Sequence, residues 1–532
     1  MTLADDLSGQ GLQMEQTHIS WVFLGEREVW KIKKPVNFGF LDYGTLEKRK
    51  RACEAEVQLN RRFSPDVYLG VVPVVLDWKG HHILGGEGDP VEWAVHMVRL
   101  PDSHRGDMLL EAGCLSLLQL RRLAERLAAF HAAWPGNDTT KQFGSPEAVG
   151  RNMEENFNQS RSYIAGILGP EEARELESGL GHWMYRLEPM FLERMRTGRV
   201  RDGHGDLRLS QIYFDDRDRP DILDCIEFNK RFRYGDVCSD IAFLSMDLAC
   251  RGRTDLAENI LAAYAWASGD FDLYAVVDFY QCYRACVRGK VAAILAAEPE
   301  TPAPARKLSE DKAHRHFLFA LSQLRRIPTK PPVIAVGGGI ATGKSTLSSR
   351  LGELLAAPVL SSDLTRKQMA GLDPLEKKAE GMWQDLYAPA FTEKVYAEVL
   401  RRARVVWQSG RPVVIDASFR TRAHRKAIEA AARDAGHSFL FLECRADPEL
   451  CRDRLRRRDL APSVSDGRES MFEEFLAAWE PADEMHPAEY AVLDTSCPIE
   501  ETLAGVLRLL KHWPESAIDA PGPVLPHRGG PK

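Results

Sequence analysis

The run GGGIATGKST over residues 337–346 constrains the fold of this chain more than any other stretch. It contains G-x-x-x-x-G-K-[ST], from Gly338 through Gly343, Lys344 and Ser345, after the apolar run VIAV and before the helical pattern STLSSRLGELLA. A strand, a Gly-rich loop and a helix in that order make a phosphate-binding loop. The backbone N–H groups of Gly338, Gly339, Ile340, Ala341, Thr342 and Gly343, and those at Thr346 in the first helical turn, are then free to face phosphate oxygens, with the positive end of the helix dipole behind them. Lys344 reaches the outer phosphates, and the Ser345 hydroxyl is placed to ligate Mg²⁺. The expected ligands are ATP and Mg²⁺.

A chain of 532 residues exceeds one hydrophobic core, and two to four domains are expected. Apolar content of 44% and charged content of 28% are ordinary for a globular protein. A net charge of −7 supplies no global basic field, so nucleic acid stays open as a partner but is not favoured. The first residues, MTLADDLSGQ, lack a basic region followed by an apolar run, and no stretch of 18 apolar residues occurs, so neither a secretory leader nor a membrane span is expected. The ten cysteines are scattered without C-x-x-C pairs and read as reduced thiols, which points to the cytoplasm.

Residues 17–100 read mostly as strands, interrupted by one helical pattern, TLEKRKRACEAEVQLNRRF. Helical patterns follow to residue 196, then a short strand-rich island around 199–228, then helices again to 297. That is a two-lobed α+β layout over 1–300. The stretch 301–330 reads as a linker with a connecting helix. Over 331–512, the five apolar runs VIAVG, APVLSSD, RPVVIDAS, SFLFLEC and YAVLDT alternate with helices, the pattern of an α/β parallel sheet with helices on both faces. The tail 513–532 is rich in Pro and Gly and reads as disordered.

The island reads HGDLRLSQIYFDDRDRPDILDCIEF, with Asp206 in a loop and Asp224 after a hairpin. A loop carboxylate that takes or orients a hydroxyl proton, with a second that holds Mg²⁺ on the phosphates, is what phosphoryl transfer from ATP requires. This segment resembles the aminoglycoside phosphotransferase branch of the protein-kinase-like fold, whose catalytic loop is H-G-D-x-x-x-x-N followed by I-D. The resemblance implies Asp206 as catalytic carboxylate and Asp224 as metal ligand, and in DVCSDIAFL it implies Asp240 as support for the catalytic loop. At the family's metal-binding Asn position stands Gln211, whose longer side chain moves the oxygen outward; Glu227 offers a compensating oxygen. The fold also asks for a lysine on the ATP phosphates and a glutamate to hold it. Strand VWKIK offers Lys31, the first choice, and Lys33; on the next helix Glu54 is the expected partner ahead of Glu56; and Met97 falls near the adenine. Arg284 and Arg288, at i and i+4, make a candidate anion-binding face.

In the second half, SSDLTRK places Asp363 at the carboxyl end of a strand, where open parallel sheets bind ligands, with Arg366 one turn later. Asp363 is the candidate base and Arg366 a candidate substrate-binding residue. Asp416 ends the strand VVIDAS, placed to order the Mg²⁺ shell. Arg454 and Arg458 lie at i, i+4 on DPELCRDRLRRRD, placed to close over the transferred group. Residues 331–500 resemble the small P-loop kinases of the polynucleotide kinase, zeta-toxin and gluconate-kinase types. The whole chain resembles bacterial two-part proteins that join an aminoglycoside phosphotransferase-like domain to a P-loop domain.

The expectation is therefore an ATP-dependent kinase with two nucleotide sites and a small-molecule hydroxyl acceptor. Three alternatives stay open: a nucleic-acid 5′-hydroxyl kinase, a regulatory protein whose first domain has lost activity through Gln211, and an NTPase switch without an acceptor. The oligomeric state is not legible in the sequence.

Overall fold

Alternation along β3 (Glu28–Lys33) sets up the first half of the molecule. In this computed structural model, which describes residues 3–37, 41–299, 301–327, 329–373, 386–458, 464 and 467–512, β3 is a central strand of a six-stranded antiparallel sheet ordered β1-β2-β3-β6-β4-β5. Its companions are β1 (Gln13–Gln16), β2 (Ser20–Leu24), β4 (Tyr68–Leu76), β5 (His82–Leu84) and β6 (Glu92–Val98). Successive side chains of a strand point to opposite faces. Val29 of β3, with Val95 and Met97 of β6, packs under α2 (Leu46–Asn60) against Cys53 and Val57. Ile32 and Ala94 face the other way, against Leu7 of α1 (Leu3–Gly9). Lys31 and Lys33 share the Val29 face and so are carried beneath α2.

The chain divides into two units, Met1–Ile260 with Val276–Arg325, and Leu261–Ala275 with Arg326–Lys532. Beyond its sheet the first unit is helical, with α3 (Leu117–Ala133), α4 (Pro146–Ile167), α5 (Pro170–Arg196), α6 (Val237–Cys250), the start of α7 (Thr254–Ser268), α8 (Val277–Ala297) and α9 (Ala303–Leu324). Two small antiparallel ribbons form the polar island. One pairs β7 (Val200–Asp202) with β10 (Tyr234–Asp236), the other β8 (Ile212–Phe214) with β9 (Pro220–Ile222). The helix expected as a connector, α9, packs along α8. A Cβ on Gly289 would lie 2.5 Å from the Phe317 ring, and the Cys282 thiol donates to the Ala320 carbonyl at 3.3 Å. It belongs to the body of the first unit.

The second unit is a five-stranded parallel sheet ordered β12-β13-β11-β14-β15. Its strands are β11 (Val333–Gly338), β12 (Val359–Ser361), β13 (Val413–Asp416), β14 (Phe439–Arg445) and β15 (Tyr490–Asp494). β11, β13 and the first six residues of β14 are buried throughout, as expected where helices cover both faces. The covering helices include α10 (Lys344–Leu355), α11 (Ser362–Met369), α12 (Pro389–Gln408), α13 (Arg422–Asp434), α14 (Pro448–Arg458) and α15 (Ile499–His512). The Leu261–Ala275 segment completes this unit. Asp272 pairs with Arg401 of α12 at 2.7 Å, and Arg402 and Arg411 stack over the rings of Phe271 and Tyr274. Residues 513–532 lie outside the described residues. No helix among those described is long and apolar enough to cross a membrane.

Candidate functional site

In the first unit the helix–sheet packing selects one glutamate. On α2, Cys53, Glu56, Val57 and Asn60 fall at i, i+3, i+4 and i+7 and are buried against the sheet. Glu54 lies off that stripe and is exposed. The expected partner of Lys31 is thereby corrected from Glu54 to Glu56. The Lys31 Nζ donates to Glu56 Oε1 at 2.8 Å and to Asp224 Oδ1 at 2.5 Å. Lys33, fully buried, pairs with Glu56 and Glu227, and Tyr43 donates to the same Glu227 oxygen at 2.6 Å. Glu227, weighed as a metal ligand, is thus the partner of a buried lysine. Burial opposes the charge on Lys31, and the Asp224 and Glu56 carboxylates overturn that, holding the ammonium above the usual lysine range. Met97 sits in the apolar cluster beneath α2, with Leu223 beside it.

Asp224 meets this lysine cluster, and Gln211 links Asp206 to Asp224. Gly205 has φ +89°, and a Cβ there would lie 2.7 Å from the Phe232 carbonyl, so only glycine lets the loop pass. Asp240, in the first turn of α6, accepts the His204 N–H at 2.6 Å and the Gly205 N–H at 2.9 Å, so it braces the loop. His204 donates from Nε2 to the Leu223 carbonyl at 2.9 Å, which leaves Nδ1 to accept the Asp206 N–H at 3.4 Å. Burial pulls this imidazole below the usual histidine range. Asp224 adopts φ +64°, uncommon for a residue with a Cβ, and its neighbourhood holds it there. Its N–H donates to Tyr68 Oη at 3.1 Å, and the Cys225 N–H to Asn60 Oδ1 at 2.9 Å. Burial pushes the Asp206 carboxyl up, but Arg208 and Arg288 outweigh it and hold it below the usual range; Lys31 does the same for Asp224.

Gln211 is oriented differently from the metal-ligand expectation. Its Oε1 accepts the Arg208 backbone N–H at 3.2 Å, while its Nε2 donates to Asp206 Oδ2 at 3.2 Å and to Asp224 Oδ2 at 3.4 Å. The extra methylene carries the amide past a ligating position, so the NH₂ bridges the two carboxylates and the oxygen faces away. Asp224 fits Mg²⁺; Gln211 in this arrangement does not. Arg284 and Arg288 also part company. Arg284 donates to Ser239 Oγ at 3.0 Å and stacks on Phe243, lining a cavity of about 50 Å³ with Tyr283 and Arg231. Arg288 instead comes within electrostatic reach of Asp206 and Arg208.

The second unit builds its site at the carboxyl ends of β11 and β13. Gly338 has φ +135°, and a Cβ there would lie 2.3 Å from the Cys444 carbonyl, so the loop crosses β14 only with glycine. Ile340 and Ala341 turn inward to an apolar cluster with Cys451, Leu455 and Phe472, which leaves the loop to work through its backbone. Lys344 Nζ donates to the Gly339 carbonyl at 2.6 Å. Asp416 is in register with Val336 on the neighbouring strand and accepts a hydrogen bond from Ser345. Burial raises its carboxyl to about 6 against the opposing pull of Lys344 and Ser345. A hydroxyl bonded to a carboxylate beside a lysine is the oxygen set that one Mg²⁺ with nucleotide phosphates requires, so Ser345 and Asp416 fit the metal. Thr346 is exposed on the first turn of α10.

Around the loop, α11 is capped by Ser361, whose hydroxyl accepts the Leu364 N–H at 3.3 Å. Asp363 therefore has no capping duty, and its carboxylate lies within electrostatic reach of Lys344 and Asp416. Arg366 is buried, donates to the Leu386 carbonyl and to Thr392 Oγ1, and lies over the Tyr387 ring at 4.3 Å. Arg454 grips the loop from α14, donating to the carbonyls of Ala341 at 3.3 Å and Thr495 at 2.7 Å. Arg458 is one turn further along, within reach of Lys344. Thr495, which no sequence signal marks, donates to the Thr342 carbonyl at 2.5 Å and braces the loop from β15.

Fold and site together define a P-loop protein that carries a second, two-lobed unit with its own lysine–carboxylate centre. Residues 333–482 match the AAA domain family. The chain is 32% identical over 447 residues to the uncharacterized protein Rv2004c of Mycobacterium tuberculosis H37Rv, covering 84% of this chain and 86% of that one, and equally to the uncharacterized protein Mb2027c of Mycobacterium bovis. It belongs to the family of these mycobacterial proteins. Among solved structures, a gluconokinase from Sinorhizobium meliloti 1021 aligns with 35% of this chain and 96% of its own at 20% identity and TM-score 0.25. A choline/ethanolamine kinase family protein from Mesorhizobium loti aligns with 59% of this chain and 92% of its own at 13% identity and TM-score 0.33.

Proposed function

We propose that this protein is an ATP-dependent phosphotransferase with two nucleotide sites, each moving the γ-phosphoryl of MgATP to a hydroxyl of a small molecule. The observation that carries the reading is that Asp363 lies within electrostatic reach of Lys344 and Asp416 while Ser361 caps its helix: a carboxylate so placed next to a nucleotide loop suits proton removal from an acceptor. In the second unit Lys344 leaves the Gly339 carbonyl for the phosphates, Asp363 takes the hydroxyl proton, and Arg454 and Arg458 offset the charge that spreads over the transferred group. In the first unit Lys31, steadied by Glu56, holds the phosphates, and Asp206 receives the proton. Mg²⁺, when bound through Ser345 and Asp416 or through Asp224, neutralises phosphate charge. In both, the acceptor oxygen bonds to the γ-phosphorus, the bond to the β,γ-bridging oxygen breaks, and ADP leaves.

The Gln211 amide favours a second reading for the first unit alone, in which it binds nucleotide without transfer. Nucleic acid is less favoured as acceptor, because the arginine-rich helices are neutralised locally: Arg401 and Arg402 by Glu398, Arg452 by Glu473, Arg456 by Glu469 and Arg457 by Asp453. The test is transfer from γ-labelled ATP to a panel of metabolites and oligonucleotides, run with wild type, Lys344→Ala and Asp206→Asn. Each single variant is expected to lose part of the labelling. A panel left unlabelled by all three overturns the proposal, and labelling unaffected by Asp206→Asn supports the binding-only reading of the first unit.

A further inference from the structure

The catalytic side of the first unit faces a group of cations beyond the lysine assigned to the nucleotide phosphates. Arg208 follows Asp206 in the loop, Arg251 ends α6, Arg288 projects from α8, and Lys312 and Arg315 project from α9. The close packing of α8 on α9 at Gly289 and Phe317 brings Arg288 to Lys312 and Arg315. Lys312 lies within electrostatic reach of Arg208, Arg251, Arg288 and Arg315. Two of these charges are matched. Arg208 donates to Asp206 at 2.9 Å, and Arg251 is held by Asp247 at 3.4 Å and Glu111 at 3.6 Å. Arg288, Lys312 and Arg315 make no ion pair among the described residues, in a chain whose net charge is −7. Asp206 and Asp247 are the carboxylates that act on Arg288, and Arg208 and Arg251 already pair with them, so the cations outnumber the carboxylates and repel one another. Burial and Arg208 pull Arg288 down to about 10, so it remains charged at neutral pH. Lys31 faces Asp224, on the side assigned to the nucleotide phosphates, whereas Arg288 faces Asp206 and Asp247.

We propose that the acceptor of the first unit is an alcohol that carries its own anionic group, a phosphate or a carboxylate, seated on Arg288, Lys312 and Arg315 with its hydroxyl at Asp206. This rests on the transfer reading above. The step is the one already written: acceptor oxygen to γ-phosphorus, ADP as leaving group, the proton to Asp206. The anion of the acceptor relieves the repulsion among the three cations, and an amine-bearing acceptor meets it unrelieved. The helix α9, expected as a connector, would thus contribute to specificity.

The test uses the full chain carrying Lys344→Ala, to silence the second site, alone and combined with Arg288→Ala, Arg288→Lys or Lys312→Ala. Initial rates are measured with γ-labelled ATP and matched acceptors: sugars, their phosphates, their acids and their amines. Phosphates or acids are expected to exceed the parent sugars at least tenfold in kcat/KM, and the comparison of these two arms says which anion is used. Arg288→Ala is expected to raise the acceptor KM tenfold or more without moving the KM for ATP, with part of the loss recovered in Arg288→Lys. Lys312 is exposed, so Lys312→Ala tests the cluster even where Arg288→Ala melts early. A preference for neutral or amine acceptors, or an effect of Arg288→Ala confined to the KM for ATP, overturns the inference and leaves the transfer reading standing. If no acceptor is labelled at all, the transfer reading for this unit fails, and titration of the same chains with a sugar phosphate by calorimetry decides the anion site separately. Binding weakened by Arg288→Ala and by Lys312→Ala sustains it, and unaltered or absent binding overturns it.

Discussion

At the scale of single residues, the first unit turns on which carboxylate meets which lysine. Glu56 is shared by Lys31 and Lys33, so its removal takes one of two carboxylate partners from each ammonium, whereas Glu54 is exposed. Glu56→Gln is therefore expected to lower kcat/KM for ATP at least tenfold in the Lys344→Ala background, while Glu54→Gln changes it less than twofold; steady-state rates decide. Asp240 gives a pH signature. Burial works to raise its carboxyl, and the His131 hydrogen bond and charge with the His204 N–H outweigh it and hold it at about 2. Its folded-state pKa is thus below the unfolded value near 4, and the stability it gives is complete above that value and lost as pH falls from about 4 through about 2. The gap is worth about 2 kcal/mol. Urea melts between pH 2 and 4 should show a steeper loss of stability in wild type than in Asp240→Asn, and equal slopes would remove this role.

Elements decide how much of this was legible beforehand. The phosphate-binding loop could be read because its glycines answer local demands: a Cβ on Gly338 would lie 2.3 Å from the Cys444 carbonyl of β14. Gly338→Ala is expected to abolish nucleotide binding by the second unit at a cost of about 1–3 kcal/mol from backbone strain. Fluorescent nucleotide titration and a thermal melt measure the two effects. The five parallel strands and the two-lobed first unit were visible for a similar reason, since buried strands and amphipathic helices write their periods into the chain. Glu54 was preferred to Glu56 because the stripe of α2 is set by Cys53, Val57 and Asn60 against the sheet, and a family spacing does not report that rotation. For Gln211, the direction of the amide depends on the Arg208 N–H, a bond with no sequence signature. Thr495 and Tyr68 reach their sites across long sequence separations and were missed for the same reason.

For the whole molecule, the division of the chain matters more than its length. The second unit takes a fifteen-residue stretch, Leu261–Ala275, from the middle of the sequence that builds the first. Phe271, Leu273 and Tyr274 are buried, and apolar burial of three such side chains is worth on the order of 4 kcal/mol. A fragment starting at Arg326 is therefore expected to melt several degrees below the same fragment with residues 261–275 joined to its start by a flexible linker; equal melting temperatures would show the stretch to be dispensable.

The same stretch has a consequence on the ribosome. The polypeptide emerges from its amino end, so Phe271, Leu273 and Tyr274 leave the exit tunnel before Arg401, Arg402 and Arg411 have been synthesised. At ~5–20 residues per second the roughly 130 intervening residues take on the order of ten seconds. For that interval the nascent chain displays an apolar patch whose resting place does not yet exist, which makes this stretch a natural point of capture for chaperones and an inconvenient place to pause translation.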